Sequence, residues 1–129
     1  LDEFSHIQVL PSAETRNDEQ RAHDILHRIV AANDDLLGVY SMGAGNQYLL
    51  DALRANKALK DVVYIAHELT PLTRKALING EISAVIAQNV GHLARSVLRV
   101  LRAKCDGVGI YEAQERIRID IITLENLPE

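Results

Sequence analysis

Short apolar runs alternate with amphipathic stretches along the 129 residues of the chain. The runs have the length and composition of strands and lie at His6–Leu10, Leu37–Ser41, Asp61–Ala66, Ser83–Ala87 and Ile117–Ile121. The stretches between them have apolar residues at helical spacing and begin near Asn17, Asn46, Pro71 and Val90. Strands that alternate with helices predict an α/β fold, in which helices flank a mostly parallel sheet.

Residues that cap helices mark the ends of several predicted elements. Asn17, followed by Gln20 three positions later, resembles a capping box, and Thr70 before Pro71 is typical of a helix start. The Asp61–Ala66 run is continuously rather than alternately apolar, which predicts a strand covered on both faces. Because a parallel sheet rarely begins at the first residue of a chain, we expect further sequence upstream.

Composition narrows the class of protein. Hydrophobic residues make up 47% of the chain, the net charge is -4, and Cys105 is the single cysteine. An acidic chain has no general attraction for nucleic acid or anionic membranes, and a single cysteine fits a reducing compartment. No apolar run approaches the roughly 20 residues that cross a bilayer, and no signal peptide is evident. We therefore expect a cytoplasmic domain whose own surface contacts neither DNA nor membrane.

Polar residues follow three of the predicted strands. Asn46 comes after the second strand, His67 and Glu68 after the third, and Gln88 after the fourth. Open parallel sheets bind ligands just beyond the carboxyl ends of their strands. Amide, imidazole and carboxylate groups suit a neutral ligand that is rich in hydroxyl groups. The alternative, which the residues leave open, is that these side chains only cap helices or close turns.

A resemblance to a known family rests on the order and spacing of several segments rather than on one motif. The chain reads VYIAHELTP at Val63–Pro71 and then has Arg74, Leu77, Gly80 and the AVIAQ segment at Ala84–Gln88. These segments resemble sugar-responsive regulators of the lactose-repressor (LacI) family and their relatives, the type-1 periplasmic binding proteins. The closing ENLP segment, Glu125–Pro128, resembles the tail of such regulators. The resemblance implies two lobes with a small effector, a sugar, between them, and a separate N-terminal helix-turn-helix domain that binds operator DNA.

The resemblance also implies roles for particular residues. Asn46 is similar to the strand-end asparagine of the family, His67 and Glu68 to its aromatic–acidic pair, and Gln88 to its hinge residue. The acidic member is usually aspartate, whereas Glu68 is longer by one methylene group. By this resemblance residues 1–88 and 115–129 form the C-terminal lobe, and the helix at 90–104 belongs to the other lobe. An apolar helix face without its sheet favours association, so we expect a homodimer or an exchange of this helix between chains.

Other patterns in the sequence fit a different chemistry. His23 and His27 share a helix face as zinc ligands do, Gly43–Gly45 precedes a helix as a phosphate loop does, and His67 with Glu68 could act as a general base. A basic face on the fourth helix is formed by Arg95, Arg99 and Arg102. The zinc pattern lacks a third ligand, and the phosphate-loop pattern lacks a later glycine or a Gly-Lys-Ser/Thr segment. The general base lacks a nucleophile, and the basic face lacks interleaved aromatic residues. We therefore predict no catalytic residues, no metal and no cofactor.

Two alternatives to the regulator stay open. The first is the soluble sugar receptor of an ABC importer, which would follow a signal peptide where a regulator follows a helix-turn-helix domain. The second is a small α/β enzyme, which would need a nucleophile or a metal site that the sequence does not display.

Overall fold

The computed structural model describes residues 4–16, 18–43, 45–55 and 62–128 of the chain. The helices in these ranges are α1 Glu19–Ala32, α2 Asn46–Ala55, α3 Pro71–Ile78, α4 Val90–Asp106 and the short α5 Glu112–Glu115. The strands are β1 Gly38–Ser41, β2 Val63–His67, β3 Ala84–Gln88 and β4 Ile119–Ile122, after which a 3-10 turn covers Leu124–Asn126.

The four strands form one sheet in the order β1-β2-β3-β4. β1, β2 and β3 run parallel, with Ser41 opposite Ala66 and His67 opposite Ile86. β4 returns antiparallel to β3 and places Ile119 opposite Gln88. The predicted α/β fold with a mostly parallel sheet and flanking helices is therefore confirmed.

One face of the sheet carries the main core. Alternate strand residues point to this face and pack against apolar residues of α2 and α3. The fully or nearly buried members are Leu50, Tyr64, Ala66, Ala76, Leu77, Ile82, Val85 and Ile122. A smaller cluster around Leu26 and Ala52 joins α1 to α2, so α1 packs on a helix rather than on the sheet.

The opposite face of the sheet is largely open in the described part of the chain. Val63, which shares this face with Ile65 and His67, is 50% exposed, so the prediction that this strand is covered on both faces is wrong for these residues. Ile119 and Ile121 are exposed as well, whereas Ile122 enters the core. The alternating isoleucines therefore mark the strand correctly but not its buried side, because α2 and α3 cover only one face.

The predicted first strand at His6–Leu10 is wrong. Residues 5–10 form a turn followed by an irregular segment, and Val9 is 72% exposed. A strand needs a neighbour that completes its backbone hydrogen bonds. Among the described residues β1 pairs with β2 alone, so no strand edge receives this segment.

Capping side chains start the helices as the sequence suggests, with one change. Thr70 and Thr73 form a reciprocal capping box at α3, with Pro71 in the first turn. At α1 the capping residue is Asp18, whose carboxylate accepts a hydrogen bond from the backbone N–H of Arg21 at 2.7 Å. The predicted cap Asn17 lies outside the described residues. The fourth helix ends at Gly107, whose φ of 67° lies in the left-handed region that glycine adopts without strain.

Helix α4 contacts mainly the short α5. Arg99 donates two hydrogen bonds to the Glu115 carboxylate, at 2.7 and 2.8 Å, and the buried Ser96 hydroxyl donates a third. The guanidinium of Arg99 and the Ser96 hydroxyl together lower the pKa of Glu115 to about 2. A row of apolar side chains elsewhere on α4 stays exposed, namely Val90, Val97, Leu98 and Leu101. None of the described helices combines the length and the apolar composition needed to span a membrane.

The core predicts the effect of two neighbouring substitutions in α3. Leu77 is 2% exposed, and Leu77→Ala should lower the free energy of unfolding by about 2–5 kcal/mol because it leaves a cavity. Ile78 is 54% exposed, and Ile78→Ala should change that free energy by less than about 0.5 kcal/mol. Urea unfolding of both variants measures the difference, and equal losses would contradict the placement of this core.

Candidate functional site

The carboxyl ends of three parallel strands meet at one edge of the sheet. β1 ends at Ser41, β2 at His67 and β3 at Gln88. Gln88 lies two residues beyond Ile86, the register partner of His67, so its Cα is displaced by about 7 Å along the strand direction. The edge therefore carries a half-buried imidazole and an exposed amide, whereas the Ser41 hydroxyl is buried, and we refer to this edge as the strand-end site.

Glu68 stands at the corner of this site with an unusual backbone. Its φ of 67° lies in the left-handed region, where a side chain with a Cβ costs about 1–2 kcal/mol. Three contacts hold this conformation. The Glu68 N–H donates to the Ile86 carbonyl at 2.9 Å, and the Glu68 carbonyl accepts from the buried Thr73 hydroxyl at 2.7 Å and from the Thr70 N–H at 3.1 Å. Strained residues of this kind persist where the surroundings fix them, and they cluster at functional sites.

Asn46 is the first residue of α2 and is only 5% exposed. Its Oδ1 accepts a hydrogen bond from the Tyr64 hydroxyl at 2.8 Å, and its Nδ2 donates to the His67 carbonyl at 3.4 Å. Among the described residues Nδ2 makes this one hydrogen bond, which leaves one of its two N–H donors for another partner. The structure thus brings Asn46 and His67 together, although it engages Asn46 with the protein itself.

The His67 ring is fixed by a residue that the sequence did not single out. The Tyr40 hydroxyl lies 2.6 Å from His67 Nε2, and the two rings meet edge to face with centroids 5.3 Å apart. Tyr40 belongs to β1 and is 55% exposed. An aromatic residue one position before the end of a strand is the signal that could have identified it. Together the two rings form a nearly perpendicular pair, with an interplanar angle of 75°, so only one of them can present its face to a ligand.

Tyr64 is a second residue that sequence reasoning missed. Its ring is 1% exposed in the main core, and its hydroxyl reaches Asn46 below the strand-end site. Burial raises the pKa of Tyr64 to about 12, although a hydrogen bond with Ser41 acts in the opposite direction. The hydroxyl therefore stays protonated and able to donate at any physiological pH.

The four predicted ligand residues differ in how they present their groups. Glu68 and Gln88 are exposed, His67 is half-buried, and Asn46 is buried. The site so formed offers an exposed carboxylate, an exposed amide and an imidazole ring, which can accept hydrogen bonds from a polar ligand and donate them to it. Their roles in binding stay predictions.

The other sequence patterns lie away from this edge. His23 and His27 are both exposed on α1, and no group of three metal-binding side chains occurs within the described ranges. Of the basic face on α4, Arg99 is paired with Glu115 and Arg102 lies 3.4 Å from Asp106. Cys105 is exposed near the end of α4.

An α/β lobe with polar groups at its strand ends is typical of one class of ligand-binding domain. Comparison with known families identifies the family within this class. Residues 1–108 match the family described as periplasmic binding protein domain. This match covers most of the chain, and the chain therefore belongs to that family. No curated protein sequence shows significant similarity to it.

Solved structures with the same fold include sugar-binding proteins. A sugar-binding protein of an ABC transporter from Bacillus halodurans is 22% identical, with a TM-score of 0.75 over 96% of this chain. A glucose-galactose binding protein from Geobacillus stearothermophilus is 15% identical, with a TM-score of 0.80 over 95% of this chain. A solute binding protein from Agrobacterium vitis bound with α-D-tagatopyranose is 20% identical, with a TM-score of 0.78 over 97%.

These matches cover 46%, 44% and 42% of the three solved chains, respectively. The chain thus spans less than half the length of the proteins it is similar to. At these identities the likeness establishes the type-1 periplasmic-binding-protein-like fold. The family and these neighbours are binding proteins, so binding rather than catalysis is the activity to test at the strand ends.

The backbone of Glu68 predicts an unusual order of stability. Glu68→Gly should be more stable than Glu68→Ala by about 1 kcal/mol, because glycine adopts the left-handed conformation without a Cβ clash. The same pair at Lys75, inside α3, should show the opposite order by about 1 kcal/mol. Urea unfolding of the four variants measures both differences, and a less stable glycine variant at both positions would rule out the strain.

Proposed function

We propose that the chain is the greater part of one lobe of a two-lobed carbohydrate-binding protein, with its ligand held at the strand-end site. The observation that carries this proposal is the convergence of His67, Glu68 and Gln88 at the carboxyl ends of parallel strands. The family match and the sugars named for solved neighbours, D-fucose, α-D-tagatopyranose and D-arabinose, support the choice of ligand class.

In this proposal each group has a distinct task. The Glu68 carboxylate and the Gln88 amide hydrogen-bond sugar hydroxyls, while one ring of the Tyr40–His67 pair packs against a sugar face. Asn46 contributes its remaining N–H and keeps the neighbouring backbone in place. The ligand signals only if it binds one arrangement of the two lobes better than the other. Catalysis has no part in this function.

The direct test is a thermal-shift screen of the complete protein against a panel of monosaccharides and polyols. A ligand at 100 times its dissociation constant should stabilise the folded protein by about 2.7 kcal/mol, which moves the melting temperature visibly. D-fucose, tagatose and D-arabinose belong in the panel because solved neighbours bind them. A panel without any stabilising compound would overturn the carbohydrate assignment.

Glu68→Ala should weaken binding of the sugar that this screen identifies by tenfold or more, about 1.4 kcal/mol, because a charge-assisted hydrogen bond is lost. Asp35→Ala, at an exposed turn before β1, is the control and should leave the affinity unchanged. Isothermal titration of both variants of the complete protein measures the effect. A loss below twofold for Glu68→Ala would exclude this carboxylate as a direct ligand group.

Two biological settings fit the same lobe. The named solved neighbours favour the soluble sugar receptor of an ABC importer. The likeness of Val63–Gln88 and of the Glu125–Pro128 tail to lactose-repressor-type regulators favours a cytoplasmic regulator that binds DNA through a separate domain. The sequence upstream of this chain in its gene discriminates them: a signal peptide selects the receptor, and a helix-turn-helix selects the regulator.

The exposed apolar row on α4 leads to a further proposal, about how the chain assembles. In a two-lobed protein this helix packs on the other lobe, and in its absence the exposed side chains favour pairing of two chains. We expect the 129-residue chain to dimerise and Leu101→Glu to shift it toward the monomer, whereas Arg102→Glu, also on α4, leaves it unchanged. Light scattering over a concentration series measures this, and a wild-type monomer throughout would remove the idea.

A further inference from the structure

We infer that Tyr64 is a positioning residue for the strand-end site, acting through Asn46 on the backbone that joins His67 to Glu68. This inference rests on the proposed site but not on the identity of its ligand. It adds to the predicted residues a side chain that cannot itself meet a ligand, because Tyr64 is only 1% exposed.

The hydroxyl of Tyr64 links the core to the site in one step. The ring lies among Leu50, Leu77 and Val85, whereas the hydroxyl donates to Asn46 Oδ1 at 2.8 Å. An asparagine amide can rotate by a half turn and exchange its oxygen and nitrogen. A donor fixed beside Oδ1 selects one orientation, and in this orientation Nδ2 faces the His67 carbonyl at 3.4 Å.

The second step runs from that carbonyl to Glu68. The peptide bond that follows the His67 carbonyl belongs to Glu68, whose φ of 67° needs support from its neighbours. The Glu68 N–H and carbonyl are held by Ile86 and Thr73, respectively. Asn46 adds a contact on the preceding carbonyl, so the orientation of the Glu68 carboxylate depends on the Tyr64 hydroxyl through one intermediate side chain.

A role in the core alone does not account for the hydroxyl. Phenylalanine would supply the same ring but would leave the buried Asn46 Oδ1 without this donor, so the hydroxyl serves Asn46 rather than the apolar packing. The hydroxyl stays un-ionised, since burial raises the pKa of Tyr64 to about 12, and it is therefore a permanent donor to Asn46. The Tyr64 hydroxyl therefore affects the orientation of Asn46 at the strand-end site and not the apolar contacts of the core.

Tyr64→Phe tests the inference without a ligand. Two-dimensional amide NMR spectra of the 129-residue chain would be compared with those of Asn46→Ala and of the control Tyr111→Phe, whose ring is 74% exposed. We expect Tyr64→Phe and Asn46→Ala to move the amide resonances of Glu68 and Leu69 in the same direction, and Tyr111→Phe to leave them in place. Because the Tyr64 ring is retained, altered ring packing does not explain such a shift.

Changes confined to the immediate neighbours of Tyr64, with Glu68 and Leu69 unmoved, would overturn the inference. If Tyr64→Phe does not fold, Asn46→Asp provides the second route, because a carboxylate still accepts from Tyr64 but has no N–H for the His67 carbonyl. The Glu68 and Leu69 resonances should then move although the Tyr64 hydroxyl is present. Unmoved resonances in Asn46→Asp would equally contradict the proposed link.

A binding measurement complements the spectra and separates the two proposals. With D-arabinose as the probe on the complete protein, Tyr64→Phe should weaken binding about fivefold, the effect of one lost hydrogen bond, and Tyr111→Phe should not. If D-arabinose binds both variants as it binds the wild type, the positioning role is contradicted. If D-arabinose binds none of the proteins, only its use as ligand fails, and the amide shifts decide the role of Tyr64.

Discussion

The hydrogen bond from Tyr64 to Asn46 connects the two parts of this structure, the apolar core and the polar strand ends. Its donor hydroxyl sits on a ring that is fully buried between the sheet and helices α2 and α3. Its acceptor begins α2 and also contacts the carbonyl of the last residue of β2. Burial of one sheet face therefore determines not only stability but also where the polar groups at the edge are placed.

The elements themselves followed from local residues. The capping box of Thr70 and Thr73, with Pro71 between them, marks α3, and glycine at 107 ends α4. The sheet faces were harder to predict, because an apolar run such as Val62–Ala66 looks the same whether one face or both faces are covered. The segment at His6–Leu10 also has strand composition, yet pairing depends on a neighbouring edge that no local pattern contains.

The strand-end positions of the candidate residues were predictable, but the hydrogen bonds between them were not. The rule for parallel sheets put His67 and Gln88 at one edge, and the register of β2 and β3 agrees with that placement. The contacts of Tyr40 and Tyr64 join residues far apart in sequence, at His67 and Asn46. Spacing along one chain does not show such pairs, and an aromatic residue in a strand is most simply assigned to the core.

The antiparallel return of β4 has a mechanical consequence. The chain leaves the sheet after Gln88 and comes back at Ile119, its partner in the register, so the two connections to α4 and α5 stand side by side, about 5 Å apart. Two adjacent connections allow the segment that contains α4 and α5 to rotate about the line through both connections. They resist rotation of this segment about other axes. A side chain at the pivot travels least during such a swing. In the function proposed above, Gln88 would therefore stay in contact with its ligand while the segment from α4 to α5 moves.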